Sequence, residues 1–165
     1  MTWRRKRASP AAVCAGSSPV WRRILTVPLI PEAVRQARHD TTTALSEYGL
    51  RPDSAFAGAV LLAVSELVAN AVRQADDQSP TADVTIAAGG GQLVVGVADQ
   101  APRLPVLPPA GVGDGLRTVA DLAAAYGGTL TVEPAVHGCG KVVLVRFRVP
   151  DDLSSRRSGA GSRAF

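Results

Sequence analysis

Glu66 and Asn70, one helical turn apart, are the first candidates for chemistry in this sequence. They lie in the otherwise largely apolar run 61–73, and residues four apart share one face of a helix. A buried polar group without a partner costs about 1–3 kcal/mol. A ligand with a metal ion would satisfy both, because a carboxamide oxygen suits Mg²⁺ and a carboxylate can orient a water or a hydroxyl. The alternative is that both side chains form the solvated face of an amphipathic helix.

A second candidate is Asp99, which follows the apolar run 93–98 at the end of a predicted strand. A carboxylate held there can accept a hydrogen bond from the exocyclic amine of adenine. Alternatively, Asp99 caps the turn that follows, as aspartate often does.

A third candidate is the glycine cluster Gly111, Gly113 and Gly115, which runs into a predicted helix at Leu116. Amide groups at a helix N-terminus, together with the helix dipole, form an anion site, and glycines allow the backbone to approach phosphate oxygens closely. Asp114 stands among these glycines, where an acid disfavours phosphate unless it points away or meets Mg²⁺. Its other role is that of a helix N-cap.

Hydrophobic periodicity predicts the elements that position these residues. Helices are predicted over 31–48, 54–74 and 114–126, and strands over 21–29, 82–88, 92–98, 129–133 and 141–149. The resulting order is β-α-α-β-β-loop-α-β-β, with the loop over 100–112. This order predicts an α+β, two-layer sandwich in which the helices cover one face of a mixed, mostly antiparallel sheet.

Charge and composition divide the chain into three parts: a basic arm over 1–20, a domain over 21–150 and a tail over 151–165. We expect both terminal segments to be disordered. Residues 24–150 hold nine basic and twelve acidic residues, so the domain itself is mildly acidic despite the overall charge of +4. This disfavours direct nucleic-acid binding, which requires a basic face on the domain. Two cysteines, no apolar signal segment and no stretch approaching membrane-spanning length indicate a cytoplasmic protein without a membrane segment.

Taken together, the Glu66/Asn70 helix, the strand ending in Asp99 and the glycine-rich loop resemble the N, G1 and G2 boxes of the GHKL ATP-binding superfamily. Over residues 21–150, the chain is most similar to the anti-sigma-factor serine/threonine kinases of actinobacterial type. The resemblance implies a Bergerat-type fold that binds ATP with Mg²⁺. It implies that Glu66 is the general base, Asn70 the Mg²⁺ ligand and Asp99 the adenine-reading residue. It also implies that Gly111, Gly113, Gly115 and Leu116 form the phosphate site.

The sequence departs from the family pattern at several positions. Ala101 replaces the glycine expected two residues after Asp99, and Val142 replaces the threonine that commonly follows Gly140-Lys141. Gln74 stands where relatives often have His or Tyr. Arg73 lies three residues beyond Asn70, where it either reaches phosphate or remains on the surface.

The resemblance also implies partners: a small anti-anti-sigma (STAS-like) antagonist that receives the γ-phosphate, and a sigma factor that is sequestered. It allows a homodimer as well. No helix pair with a phospho-accepting histidine is predicted, which disfavours a sensor histidine kinase. Two alternatives remain open, namely a non-catalytic nucleotide-binding module that sequesters a partner and a nucleic-acid-associated protein that uses the basic arm.

Overall fold

The computed structural model describes residues 20–77, 79–101, 114–135 and 140–153. It contains eight elements in the predicted order. They are β1 Trp21–Pro28, α1 Ala33–Tyr48, α2 Ala55–Gln74, β2 Thr81–Gly89, β3 Gln92–Asp99, α3 Asp114–Ala125, β4 Thr129–Pro134 and β5 Lys141–Arg148.

The five strands form one sheet in the order β1-β2-β3-β5-β4. All four strand pairings are antiparallel, so the expectation of a mixed sheet is wrong in that detail. The strands β2 and β3, and β4 and β5, are consecutive in the chain, whereas β1 and β2 are joined through α1 and α2, and β3 and β5 through α3 and β4. β1 lies at an edge, in keeping with its terminal Pro28.

The helices cover one face of this sheet, as the sequence predicted. α1 packs on β1 and β2, α2 on β2 and β3, and α3 on β4 and β5. Alternate strand residues face the helices, so that Val84 and Ile86 of β2 lie beside Val95 and Val97 of β3 in a fully buried core. The two-layer α+β sandwich is therefore confirmed.

Two capping residues mark the end of α1 and the start of α2. Ser54 accepts a hydrogen bond from the Ala57 amide at 3.1 Å and so caps the start of α2. Gly49 ends α1 in the left-handed region, with φ of 91°. Both helix boundaries follow from these residues, and the buried apolar residues of α2 orient the face that carries Glu66 and Asn70.

α2 is long and apolar enough to span a membrane by length and composition, contrary to the expectation that no stretch approaches that length. The helix is nevertheless packed into the domain, and 61% of its most apolar window is buried. Its apolar residues contact the other layers of the core. This burial accounts for its composition without a membrane.

The ends of the predicted domain differ slightly from expectation. Residues 151–153, which the sequence assigns to the C-terminal tail, form a helical turn, and Leu153 packs against the core. Several predicted features lie outside the described residues. These are Cys14 and most of the N-terminal arm, Gly111 and Gly113 with most of the proline-rich loop, His137, Cys139 and the rest of the tail.

Candidate functional site

Glu66 lies where α2 meets the first turn of α3. A Cβ atom placed on Gly115 would lie 2.3 Å from Glu66 Oε2 and 3.8 Å from Arg73 Nη2. Such a contact with Oε2 is too short for any side chain, so the glycine is what allows the carboxylate to approach the helix N-terminus. The structure thus brings together Glu66, Gly115 and Arg73, although Gly115 is far from the other two in sequence.

Asn70 lies one turn further along α2, half-buried like Glu66. Its Oδ1 accepts a hydrogen bond from Gln74 Nε2 at 3.4 Å. Gln74 Oε1 is buried and has no hydrogen-bond partner among the described residues. A buried carboxamide oxygen without a donor costs free energy, and a bound ligand or an ordered water would satisfy it.

A cavity of about 300 Å³ lies beside the Gln74 carboxamide. It is lined by Arg73, Gln74, Ala75, Asp76 and Ala101. Its volume is at the lower end of the range for small-molecule sites, about 300–1,000 Å³. The cavity joins the C-terminal end of α2 to the end of β3, the two places where the sequence predicted nucleotide contacts.

Asp99 is buried at the end of β3 and forms an ion pair that the sequence analysis did not predict. Lys141 Nζ donates to Asp99 Oδ1 at 2.8 Å, and the two side chains are 0% and 2% exposed. The Ala101 amide donates to the same oxygen at 2.9 Å, and Lys141 also contacts the Ala101 carbonyl oxygen at 3.4 Å. The pairing follows from strand register, because Asp99 stands opposite Lys141 across β3 and β5.

The amide contact from Ala101 to Asp99 is the turn-capping bond that forms the alternative role of Asp99. This bond uses only Oδ1. The capping role is therefore present in the structure, and base recognition by Asp99 stays a prediction.

The first turn of α3 contains the described part of the predicted phosphate site. Asp114 begins the helix and is exposed, so its carboxylate is free to point into solvent. Leu116 is only 2% exposed, and its side chain belongs to the core. Only the backbone of Leu116 is therefore available to an anion, together with that of Gly115.

The residues present fit a nucleotide with Mg²⁺ in part. Among the described residues, no group of three or more His, Cys, Asp and Glu could hold a metal ion. The predicted role of Asn70 would make it a single protein ligand, an arrangement that suits Mg²⁺ bound largely by phosphate and water. The Gln74 oxygen beside it is a second polar atom at this point that lacks a partner among the described residues.

A larger cavity of about 440 Å³ lies at the opposite end of the sheet, next to Gly90, Gly128 and Arg146. It lies at the start of β3, whereas Asp99 lies at the end of that strand. The smaller cavity is lined by Arg73 and Gln74, which follow Asn70 on α2, and by Ala101, which follows Asp99, so we place the candidate site there.

Comparison with known proteins agrees with this fold. The profile of the histidine kinase-like ATPase domain matches residues 27–140, more than half of the chain, and the chain belongs to this family. No curated protein sequence matches it.

Among solved structures, the catalytic domain of the histidine kinase ThkA is 14% identical, with a TM-score of 0.51, and the match covers 76% of this chain and 97% of that one. A histidine kinase domain from Erythrobacter litoralis is 22% identical, with a TM-score of 0.49, covering 77% of this chain and 64% of that one. The mycobacterial sensor histidine kinase MprB is 21% identical, with a TM-score of 0.44, covering 55% of this chain and 70% of that one. At these identities, the ThkA likeness shows a shared fold.

Proposed function

We propose that this protein is an ATP- and Mg²⁺-binding regulatory kinase of the anti-sigma-factor type. It transfers the γ-phosphate to a serine or threonine of a small STAS-like antagonist protein and sequesters a sigma factor when that antagonist is inactive. The observation that carries the proposal is the approach of the Glu66 carboxylate to Gly115, at 2.3 Å from a Cβ built there. This closeness of the Glu66 carboxylate to a helix N-terminus, a position suited to phosphate, supports Glu66 as the base.

Each site residue has a defined part in this proposal. Asp99 accepts a hydrogen bond from the adenine amine, and the backbone of Gly111, Gly113, Gly115 and Leu116 holds the phosphates. Asn70 would hold Mg²⁺, which when bound neutralises phosphate charge. Arg73 is exposed and its guanidinium lies 3.8 Å from the position of a Cβ on Gly115, so it can reach an anion at the start of α3.

The transfer step uses Glu66 as the general base. The hydroxyl oxygen of the antagonist attacks the γ-phosphorus while Glu66 accepts the hydroxyl proton. A phosphorus–oxygen bond forms to the serine or threonine, and the bond between the γ-phosphorus and the β,γ-bridging oxygen breaks, releasing ADP. Positioning and charge neutralisation provide most of the acceleration in such transfers.

The test is incubation with radiolabelled ATP, Mg²⁺ and the small antagonist proteins encoded beside this chain. We expect label on the antagonist and, for Glu66→Gln, a rate lower by about 10²–10⁴-fold with ATP still bound. Glu47→Gln is the matched control, because Glu47 is an exposed carboxylate on α1 that pairs with Arg23. Transfer by Glu66→Gln at the wild-type rate would refute the role of Glu66.

A second candidate function is a nucleotide-binding module that sequesters its partner without catalysis. Asp114 favours it, since an acid in the first turn of α3 opposes a triphosphate at that helix N-terminus. The same experiment separates the two functions. ATP binding without label on any antagonist would select the module.

A further inference from the structure

We propose that Lys141 is the residue that orients Asp99 for base recognition and so determines the selectivity of the site for adenine. This inference rests on the proposed ATP binding and assigns a role to a residue outside the predicted site. The evidence is the buried ion pair between Lys141 Nζ and Asp99 Oδ1, at 2.8 Å with both side chains almost completely excluded from solvent.

The geometry assigns different tasks to the two oxygens of Asp99. Within the described residues, the hydrogen bonds of this carboxylate all end at Oδ1, from Lys141 Nζ and from the Ala101 amide. Oδ1 is thereby fixed by two donors, one of them charged. Oδ2 remains as the acceptor for the exocyclic amine of adenine.

The backbone packs closely around the pair. Lys141 also contacts the carbonyl oxygen of Ala101, so one ammonium group ties β5 both to the end of β3 and to the residue that lines the cavity. Gly140 allows this closeness, because a Cβ there would lie 2.3 Å from the Asp99 carbonyl oxygen. The lysine thus links the base-reading carboxylate directly to the cavity wall.

A buried lysine is costly to retain for stability alone, because desolvation of a buried ion pair often cancels its attraction. We therefore assign the ion pair a functional role, in which Lys141 fixes the orientation of the Asp99 carboxylate. Lysine suits it, since its compact ammonium is a point charge that binds one oxygen, whereas the planar fork of arginine binds both oxygens of a carboxylate. An arginine here would engage Oδ2 and remove the acceptor for adenine.

The test compares the Kd of ATP with that of the triphosphate of purine riboside, which lacks the exocyclic amine. Calorimetry with the full chain should show a preference of about 10-fold or more for ATP, the worth of one hydrogen bond to a charged group. Lys141→Arg should lose most of that preference although it keeps the charge. Lys141→Met should lose it as well. Arg148→Met removes an exposed cation from the same strand and should leave the preference unchanged.

A second readout needs no nucleotide. In urea unfolding, Asp99→Asn and Lys141→Met should each lower the free energy of unfolding of the wild type, because each single change leaves a buried group unpaired. Adding the second change to either single variant should lower it by less. If Lys141→Met does not fold, Lys141→Arg carries the selectivity test.

The outcomes distinguish this inference from the proposed function. Wild-type selectivity in folded Lys141→Arg would overturn the role of Lys141 while leaving ATP binding intact. Binding of ATP and the analogue with equal affinity by the wild type would overturn it too. Failure of the wild type to bind either triphosphate would reject the proposed function, and this inference with it.

Discussion

At the scale of single residues, the site depends on Gly115, which has no side chain. Gly115 is followed by a buried Leu116 and faces Glu66, so the first turn of α3 is held between the core and a carboxylate. Any larger residue must displace Glu66. Because the colliding atom is the end of a flexible side chain, we expect the fold to survive and the position of the base to change.

Gly115→Ala should therefore lower phosphotransfer at least 10-fold while changing stability by less than about 1 kcal/mol, because the displaced carboxylate is flexible and alanine is the better helix former. Gly58→Ala is the matched control on α2, where an added Cβ meets nothing within 4 Å. It should stabilise the protein by about 0.5–1 kcal/mol, because alanine is the better helix former. Urea unfolding and the transfer assay measure both effects. Gly115→Ala with the wild-type transfer rate would show that the contact has no importance for transfer.

Single residues also show what can and cannot be predicted from the sequence. The shared helix face of Glu66 and Asn70 can be predicted from their spacing, because a helix has a fixed period. The bond between Asp99 and Lys141 cannot be predicted in this way, because it joins residues 42 apart through the register of β3 and β5. In the sequence, Lys141 stands out only as part of a motif, and a lone lysine beside a strand is ordinarily solvent-exposed. Gln74 likewise stands out only as a departure from the family, and its bond to Asn70 could have been found from the four-residue spacing.

At the scale of elements, local chemistry determines most boundaries. The glycine run between the second and third strands leaves the hairpin register open in the sequence. In the structure, Gly90 and Gly91 form the two-residue turn with φ of 58° and 74°, and Gly89 pairs with Gln92. Two positive φ values are what a type I′ hairpin requires, and glycine adopts them without strain. The sequence allows several positions for this turn, and packing of Ile86 and Val95 in the core selects one.

The start of α2 gives a prediction about an element. Ser54→Ala should lower the free energy of unfolding by about 1 kcal/mol, because the Ala57 amide loses its side-chain acceptor. Ser46→Ala on α1 is the control, since its hydroxyl only donates to the Thr42 carbonyl one turn back, a bond that does not stabilise helices. Urea denaturation of both variants measures the difference. Equal stability of the two would mean that Ser54 does not cap α2.

At the scale of the whole molecule, charge and packing are separated along the chain. The described core begins at Trp21, which packs against Tyr48 with ring centroids 5.5 Å apart. The basic run Arg4, Arg5, Lys6 and Arg7 precedes it in a segment without apolar periodicity. Folding and nucleotide binding should thus belong to the domain, and the arm should act only through its charge.

Deletion of residues 1–20 should leave the stability within about 0.5 kcal/mol of the wild type and the ATP affinity unchanged. Any effect on association with an acidic partner should weaken with salt, since the screening length is about 8 Å at physiological ionic strength. Deletion of residues 1–28 is the control, because it removes β1 and exposes the edge of β2. Loss of folding or of ATP binding in the shorter deletion would contradict this assignment.

The central claim, a nucleotide site between α2, β3 and α3, is tested most directly by calorimetric titration of the wild type and Asn70→Ala with ATP, with Mg²⁺ or EDTA. We expect saturable binding to the wild type that EDTA largely removes. We also expect stabilisation by about 2.7 kcal/mol at 100 times the Kd. Asn70→Ala should stay folded and lose the effect of Mg²⁺, whereas Gln36→Ala, an exposed carboxamide on α1, should behave as the wild type. Absence of binding heat and of a melting shift at millimolar ATP with Mg²⁺ would contradict the account.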